Sequence, residues 1–368
     1  MTAQPKNMTG ARVHEIDLLR FFAALSVVFY HYAFRGYAAD GLSLMPYPSL
    51  APLAKYGSLG VELFFMISGF VILMTAAHGN LKGFVVSRIV RLYPAFWACC
   101  TITFATIILI GAPTYSASLS QYLINMTMLS KFVGVPAIDG VYWSLFVEMR
   151  FYALIAMILL IRKIDQTQLL LMLWLTGSVI LEILPISKLR YLLIVDYSAY
   201  FIAGAMCFLI WSKGISVSRV CMLLVSWILG IYQAIKGISQ IEKHYNTTMN
   251  SYVVAGIITS FFVIMFLVSI RRTGFIGRSR WIMAGALTYP VYLLHQNIGF
   301  MIFNIAYPAI NKHVLLWGTI ILMLGAAYAV HIAVEKRFAL PMKNALNYSF
   351  DAIHCLATHA CEHIKMRR

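Results

Sequence analysis

The sequence predicts an all-α fold, a polytopic transmembrane helix bundle of about ten spans with both termini in the cytoplasm. Three observations carry this. Of 368 residues, 61% are hydrophobic and 11% charged, with a mean hydropathy of +0.79; soluble domains carry about 25% charged residues. The apolar residues fall in runs of about twenty, the length an α-helix needs to cross the hydrocarbon of a bilayer. Lys and Arg, which dominate a formal net charge of +16, gather in alternate gaps between the runs. That is the positive-inside pattern, and it points to a lipid bilayer rather than nucleic acid as the surface these cations meet.

The spans are expected at residues 16–34, 57–77, 92–111, 141–161, 168–184, 191–211, 217–235, 251–270, 281–303 and 314–334. The first follows a polar N-terminal stretch and is full length with no small-residue cleavage site after it, so it is expected to stay in the membrane. The fifth is interrupted by Thr176, Ser178 and Glu182, and the stretch 121–130 is apolar but too short to cross. Residues 1–345 are expected to form the membrane domain and 346–368 a basic tail on its cytoplasmic face. No polar stretch is long enough to hold a separate soluble core. The six cysteines fall in spans or inner segments, which implies no disulfide framework.

The first span, EIDLLRFFAALSVVFYHY, carries Arg20 and His31. Eleven positions at ~100° each bring them to within about 20° of one another around the helix, roughly 16 Å apart along it. One face therefore bears a fixed cation near the membrane edge and a titratable ring near the middle, where ionisable groups are costly and usually functional. In the second span Glu62 sits among apolar residues, and Ser68-Gly69 interrupts the helix with small residues that suit close helix approach. The turn into the third span holds Lys82, Arg88 and Arg91. Arg88 and Arg91 are one helical turn apart, and guanidinium pairs well with phosphate; a stop-transfer charge pair fits the same spacing.

The fourth span brings Glu148 about two turns inside, with Arg150 on a different face and Trp143 and Tyr142 as interface anchors. An acid there needs a partner, and Arg20, His31 and Arg150 are the candidates. In the ninth, Tyr289, Tyr292 and His295 form a slowly rotating stripe beside the helix-kinking Pro290. Cys355, His359, Cys361 and His363 near the C-terminus have zinc-like spacing, but an amphipathic tail accounts for them, and no metal is expected.

Taken in order, these pieces resemble one family. Ile16-Asp17-x-x-Arg20 with His31 begins it, and Gly60-Val61-Glu62-Leu63-Phe64-Phe65 follows, running to Ser68-Gly69-Phe70. Arg88-x-x-Arg91-x-x-Pro94, Trp143-Ser144-Leu145-x-x-Glu148 and Tyr289-x-x-Tyr292-x-x-His295 complete it. The chain is similar in these motifs to acyltransferase family 3, bacterial inner-membrane enzymes that acetylate exported or surface carbohydrates.

The resemblance implies acetyl-CoA as donor and a glycan or lipid-linked glycan acceptor: O-antigen, exopolysaccharide or a lipochitooligosaccharide. It implies His31 and Arg20 as the essential pair and Arg88 and Arg91 as donor-binding residues, with Lys82 beside them. Glu148 then has a catalytic role open to it, and Glu62, Ser68, Trp143, Tyr289, Tyr292 and His295 are candidates for substrate contact or support. His31 as general base and an acetyl-histidine intermediate both fit. The rival class is a glycan or lipid-linked-sugar transporter or flippase, for which intramembrane charges and a kinked helix would serve equally; it predicts inverted repeats, and none is visible.

Overall fold

In hydrocarbon the backbone can hydrogen-bond only to itself, so apolar runs of this length become helices. The computed structural model, which describes residues 12–77, 79–184 and 186–365 with side chains up to Ala352, contains helices and no strand among the described residues. The long helical segments are α1 (His14–Ala39), α2 (Ala51–Ala76), α3 (Leu81–Ile110), α4 (Tyr142–Leu160), α5 (Ile164–Ile183), α6 (Ser187–Lys213), α7 (Val217–Tyr245) and α8 (Ser251–Ser269). They are followed by α9 (Ile282–Ala306), α10 (Lys312–Val330) and α11 (Lys336–Lys365), the last two joined by a π-helical turn at His331–Glu335.

Nine segments among the described residues are long and apolar enough to cross a membrane: α1 to α8 and the run Lys312–Ala352. The chain is thus a multi-pass membrane protein. The ninth expected span, α9, is not among them. Its polar stripe of Thr288, Tyr292, His295, Gln296 and Asn297 lies inside the bundle, and every residue from Val291 to Met301 is buried. Protein, not lipid, surrounds that stretch, so it needs no apolar surface.

Several boundaries differ from expectation. α3 begins eleven residues before position 92, because Asn80 caps it by accepting from the Gly83 N–H at 3.0 Å. Arg88 and Arg91 therefore project from a helix rather than a turn. α7 continues ten residues past 235, carrying polar residues that hydropathy alone excludes. The stretch 121–130 does not cross; it makes the short helix Leu119–Asn125 and the loop after it. The division expected between residues 345 and 346 falls inside α11. The metal-like Cys355, His359, Cys361 and His363 lie beyond the described side chains.

Two close crossings set the bundle. α2 meets α6 at Gly69 and Gly204: a Cβ on Gly69 would stand 2.1 Å from the Phe201 carbonyl oxygen, and one on Gly204 1.7 Å from that of Met66. The small residues at Ser68-Gly69 thus do what small residues do between membrane helices. α1 meets α9 where Gly299 leaves room for the Tyr32 ring, whose hydroxyl donates to the His295 carbonyl at 2.7 Å. This second crossing brings two histidines together.

Candidate active site

α1 changes from α-helical to π-helical pitch at His31, a feature that often marks functional positions. His31 Nδ1 lies 2.8 Å from the Val27 carbonyl oxygen and 3.0 Å from His295 Nε2. His295 Nδ1 in turn lies 2.9 Å from the Tyr292 carbonyl and 3.2 Å from that of Val291. Carbonyls only accept, so His295 carries its proton on Nδ1 and its Nε2 is an acceptor. His31 Nδ1–H then donates to both Val27 and His295. This network assigns the neutral tautomer whose Nε2 is unprotonated and able to accept. Arg35 Nη1 stands 3.4 Å from that nitrogen, and Arg35 is held by Asp40 at 2.6 Å.

His31 and Arg35 line a cavity of about 490 Å³. Tyr30, Trp143, Tyr197, Tyr200, Tyr245 and Tyr292 supply aromatic faces, so Trp143 is a wall residue here and not only an interface anchor. Glu62 lines the same cavity, and its Oε2 is buried with no partner among the described residues. Glu182, an apparent interruption of the fifth span, sits at the rim and accepts from Lys236 at 2.7 Å, Arg190 at 3.1 Å and Gln233 at 3.2 Å. Gln233, Lys236, Gln240 and Tyr245 reach the cavity from the second half of α7.

A second cavity, about 230 Å³, opens toward the Arg20 end of α1 and collects Arg20, Ser68, Arg88, Arg91, Glu148, Tyr152 and Tyr289. Arg88 donates to Ser87 at 3.0 Å and Thr75 at 3.2 Å, and its buried Nε has no partner. Among the described residues Arg20 has no hydrogen bond or ion pair. Glu148 accepts from the Ser68 hydroxyl at 2.5 Å; of the three partners expected for it, only Arg20 shares its cavity. His31 does not, and Arg150 instead donates to the Tyr191 carbonyl at 2.7 Å. The two cavities share Val61 and Tyr292 in their walls. Tyr292 is held there by a 2.6 Å hydrogen bond between its hydroxyl and that of Ser144. Lys82 lies outside both, paired with Asp351 at 2.6 Å.

Asp139, which no motif marks in the sequence, ties the loop before α4 to α9. It is fully buried, accepting from the Val141 N–H at 3.1 Å and the Asn297 N–H at 3.0 Å. Burial pushes its carboxyl up to about 6, against the pull of those two donors and of Arg35. Its position just before Trp143 was the one available signal. Arg35, just past the expected end of the first span, stands on the π-helical extension of α1, which nothing in the sequence marks.

A family model of the acyltransferase domain matches residues 13–334 and so stops two residues short of α11. Nodulation protein 10 of Rhizobium leguminosarum bv. viciae is 28% identical over 169 residues, 40% of this chain and 44% of that protein. The aligned part thus spans under half of that relative's length. No solved structure matches the chain.

Proposed function

The chain belongs to the acyltransferase family 3, and from that premise we propose that it moves an acetyl group from cytoplasmic acetyl-CoA to a sugar hydroxyl of an exported or surface glycan. The observation that carries the reading is the meeting of two cavities at Val61 and Tyr292 beside a histidine whose Nε2 is unprotonated and faces Arg35. Arg20, Arg88 and Arg91 at one end of α1 suit a phosphorylated thioester donor. The aromatic walls and partnerless Glu62 at the other end suit a sugar, whose ring faces stack and whose hydroxyls donate.

In this reading both termini and the Arg20 cavity face the cytoplasm of a bacterial inner membrane. The thioester passes Tyr292 to reach His31. The acceptor hydroxyl replaces Arg35 at His31 Nε2, which takes its proton as the oxygen attacks the thioester carbonyl. Arg35 then faces the developing oxyanion. Collapse breaks the carbon–sulfur bond, and the departing thiolate recovers the proton from the imidazolium. His295 keeps His31 in the productive tautomer throughout. Glu148 acts on the donor side, as counter-charge to Arg20, and not on the imidazole ring. A general base of this kind contributes on the order of 10²–10⁴ in rate.

The test is transfer of labelled acetyl from acetyl-CoA to glycan by the purified protein, beside mass spectrometry of surface and secreted glycans with and without it. A gain of about 42 Da per modified sugar, one acetyl for one hydrogen, supports the reading. Unmodified glycan that nevertheless crosses the membrane would favour the transporter class.

A further inference from the structure

Beyond the Arg20 cavity lies a third, about 550 Å³, between the first half of α3 and α11. It shares the wall residues Ser87 and Arg91 with the Arg20 cavity, so the two adjoin along α3. Two helical stripes face each other across it. Gly83, Val86, Ser87, Val90 and Arg91 come from α3, and Lys336, Ala339, Lys343 and Asn347 from α11. The second set is spaced 3, 4 and 4 residues apart, a single helix face. Both lysines and Arg91 are exposed, and none has an ion-pair or hydrogen-bonding partner among the described residues. The 2.6 Å pair between Lys82 and Asp351 ties the middle of α11 onto the start of α3, which gives Lys82 a structural reason for being there. Among the described residues the acid that lines the cavity is Glu335, which is bonded to His331 at 2.6 Å.

We infer that this third cavity seats the nucleotide end of the acyl donor, with Arg91, Lys336 and Lys343 as the cations that meet its phosphates. The inference rests on acetyl-CoA being the donor. Three cations without partners among the described residues at one opening suit the 3′-phosphate and diphosphate of such a donor. The pantetheine arm then runs past Arg91 into the Arg20 cavity. α11 is thus part of the donor site and not a free basic tail. The same cations would suit an anionic lipid headgroup, so the experiment must separate the two phosphate sources.

The protein is reconstituted in phosphatidylcholine nanodiscs, and kcat/KM is measured with acetyl-CoA and with acetyl-4′-phosphopantetheine, which lacks the nucleotide. In Lys336→Gln/Lys343→Gln the ratio of the two should fall about tenfold, a loss of about 1.4 kcal/mol. Against the unaltered protein 3′,5′-ADP should compete with acetyl-CoA, a reading that needs no substitution. An unchanged ratio, or no competition, from a protein that does use acetyl-CoA overturns this inference alone. A wild type that neither binds nor uses acetyl-CoA overturns the donor assignment as well. An effect that appears only with phosphatidylglycerol in the discs assigns the cations to lipid and also overturns it.

Discussion

His295 Nε2 lies 3.0 Å from His31 Nδ1, and together with the Val27 carbonyl at 2.8 Å it holds the His31 proton on that nitrogen. The carbonyls of Tyr292 and Val291 hold the His295 proton at Nδ1, so the whole chain of donors runs one way and leaves His31 Nε2 unprotonated, facing Arg35.

His295→Leu should therefore lower kcat with little change in acetyl-CoA binding, since it removes one of the two acceptors that hold the His31 proton at Nδ1 and leaves the Val27 carbonyl alone to orient the ring. His295→Gln, whose side chain can still accept from His31 Nδ1–H, should recover part of the loss. Steady-state kinetics on protein normalised for folded fraction measures both. Equal loss in the two variants would reduce His295 to packing.

Arg20 and Arg88 should act on the donor. Arg20→Ala and Arg88→Ala should each weaken acetyl-CoA binding about tenfold or more, and Lys at either position should restore only part of it, because the forked guanidinium contact is lost. Calorimetric titration of the folded variants checks this. Unchanged affinity would take the second cavity out of donor binding.

Glu62 should act on the acceptor. Its Oε2 is buried with no partner among the described residues, and a sugar hydroxyl would satisfy it. Glu62→Gln is expected to raise KM for the glycan severalfold while leaving KM for acetyl-CoA near that of the wild type. A change in folded yield alone would point to packing.

Asp139 gives a pH dependence of stability. Its carboxyl is raised from the ordinary range near 4 to about 6 by burial, so between those values the folded protein holds a proton that the unfolded chain has lost. Stability therefore falls as pH rises through that window, by about 3 kcal/mol at most. Asp139→Asn should flatten that part of the profile of thermal unfolding in detergent. The same slope in both proteins would contradict the assignment.

Much of this was legible in the sequence, and what was not has physical causes. Helix length and hydropathy located the spans, but they cannot see polar helix, so the start of α3 and the end of α7 were missed. The cap at Asn80 was the overlooked signal for α3. His31 and His295 each stood out as a histidine at membrane depth. Their contact spans 264 positions and depends on Gly299 admitting Tyr32, which no local pattern encodes. Glu148 was recognised as an acid in need of a partner, yet its hydrogen bond to Ser68 belongs to the packing of α2 against α4. Arg35 fell outside the expected span because a π-helical turn has no spacing signature of its own.

The most direct measurement is acetyl transfer per folded molecule of His31→Ala, taken beside acetyl-CoA binding by the same preparation. The variant should insert, fold and bind the donor near normally while forming no acetylated glycan above background. A histidine that only packs would instead leave its partner unsatisfied, costing about 1–3 kcal/mol and a proportionate share of folded protein, with transfer per folded molecule intact. Transfer at close to the wild-type rate would contradict His31 as base and as acyl carrier alike.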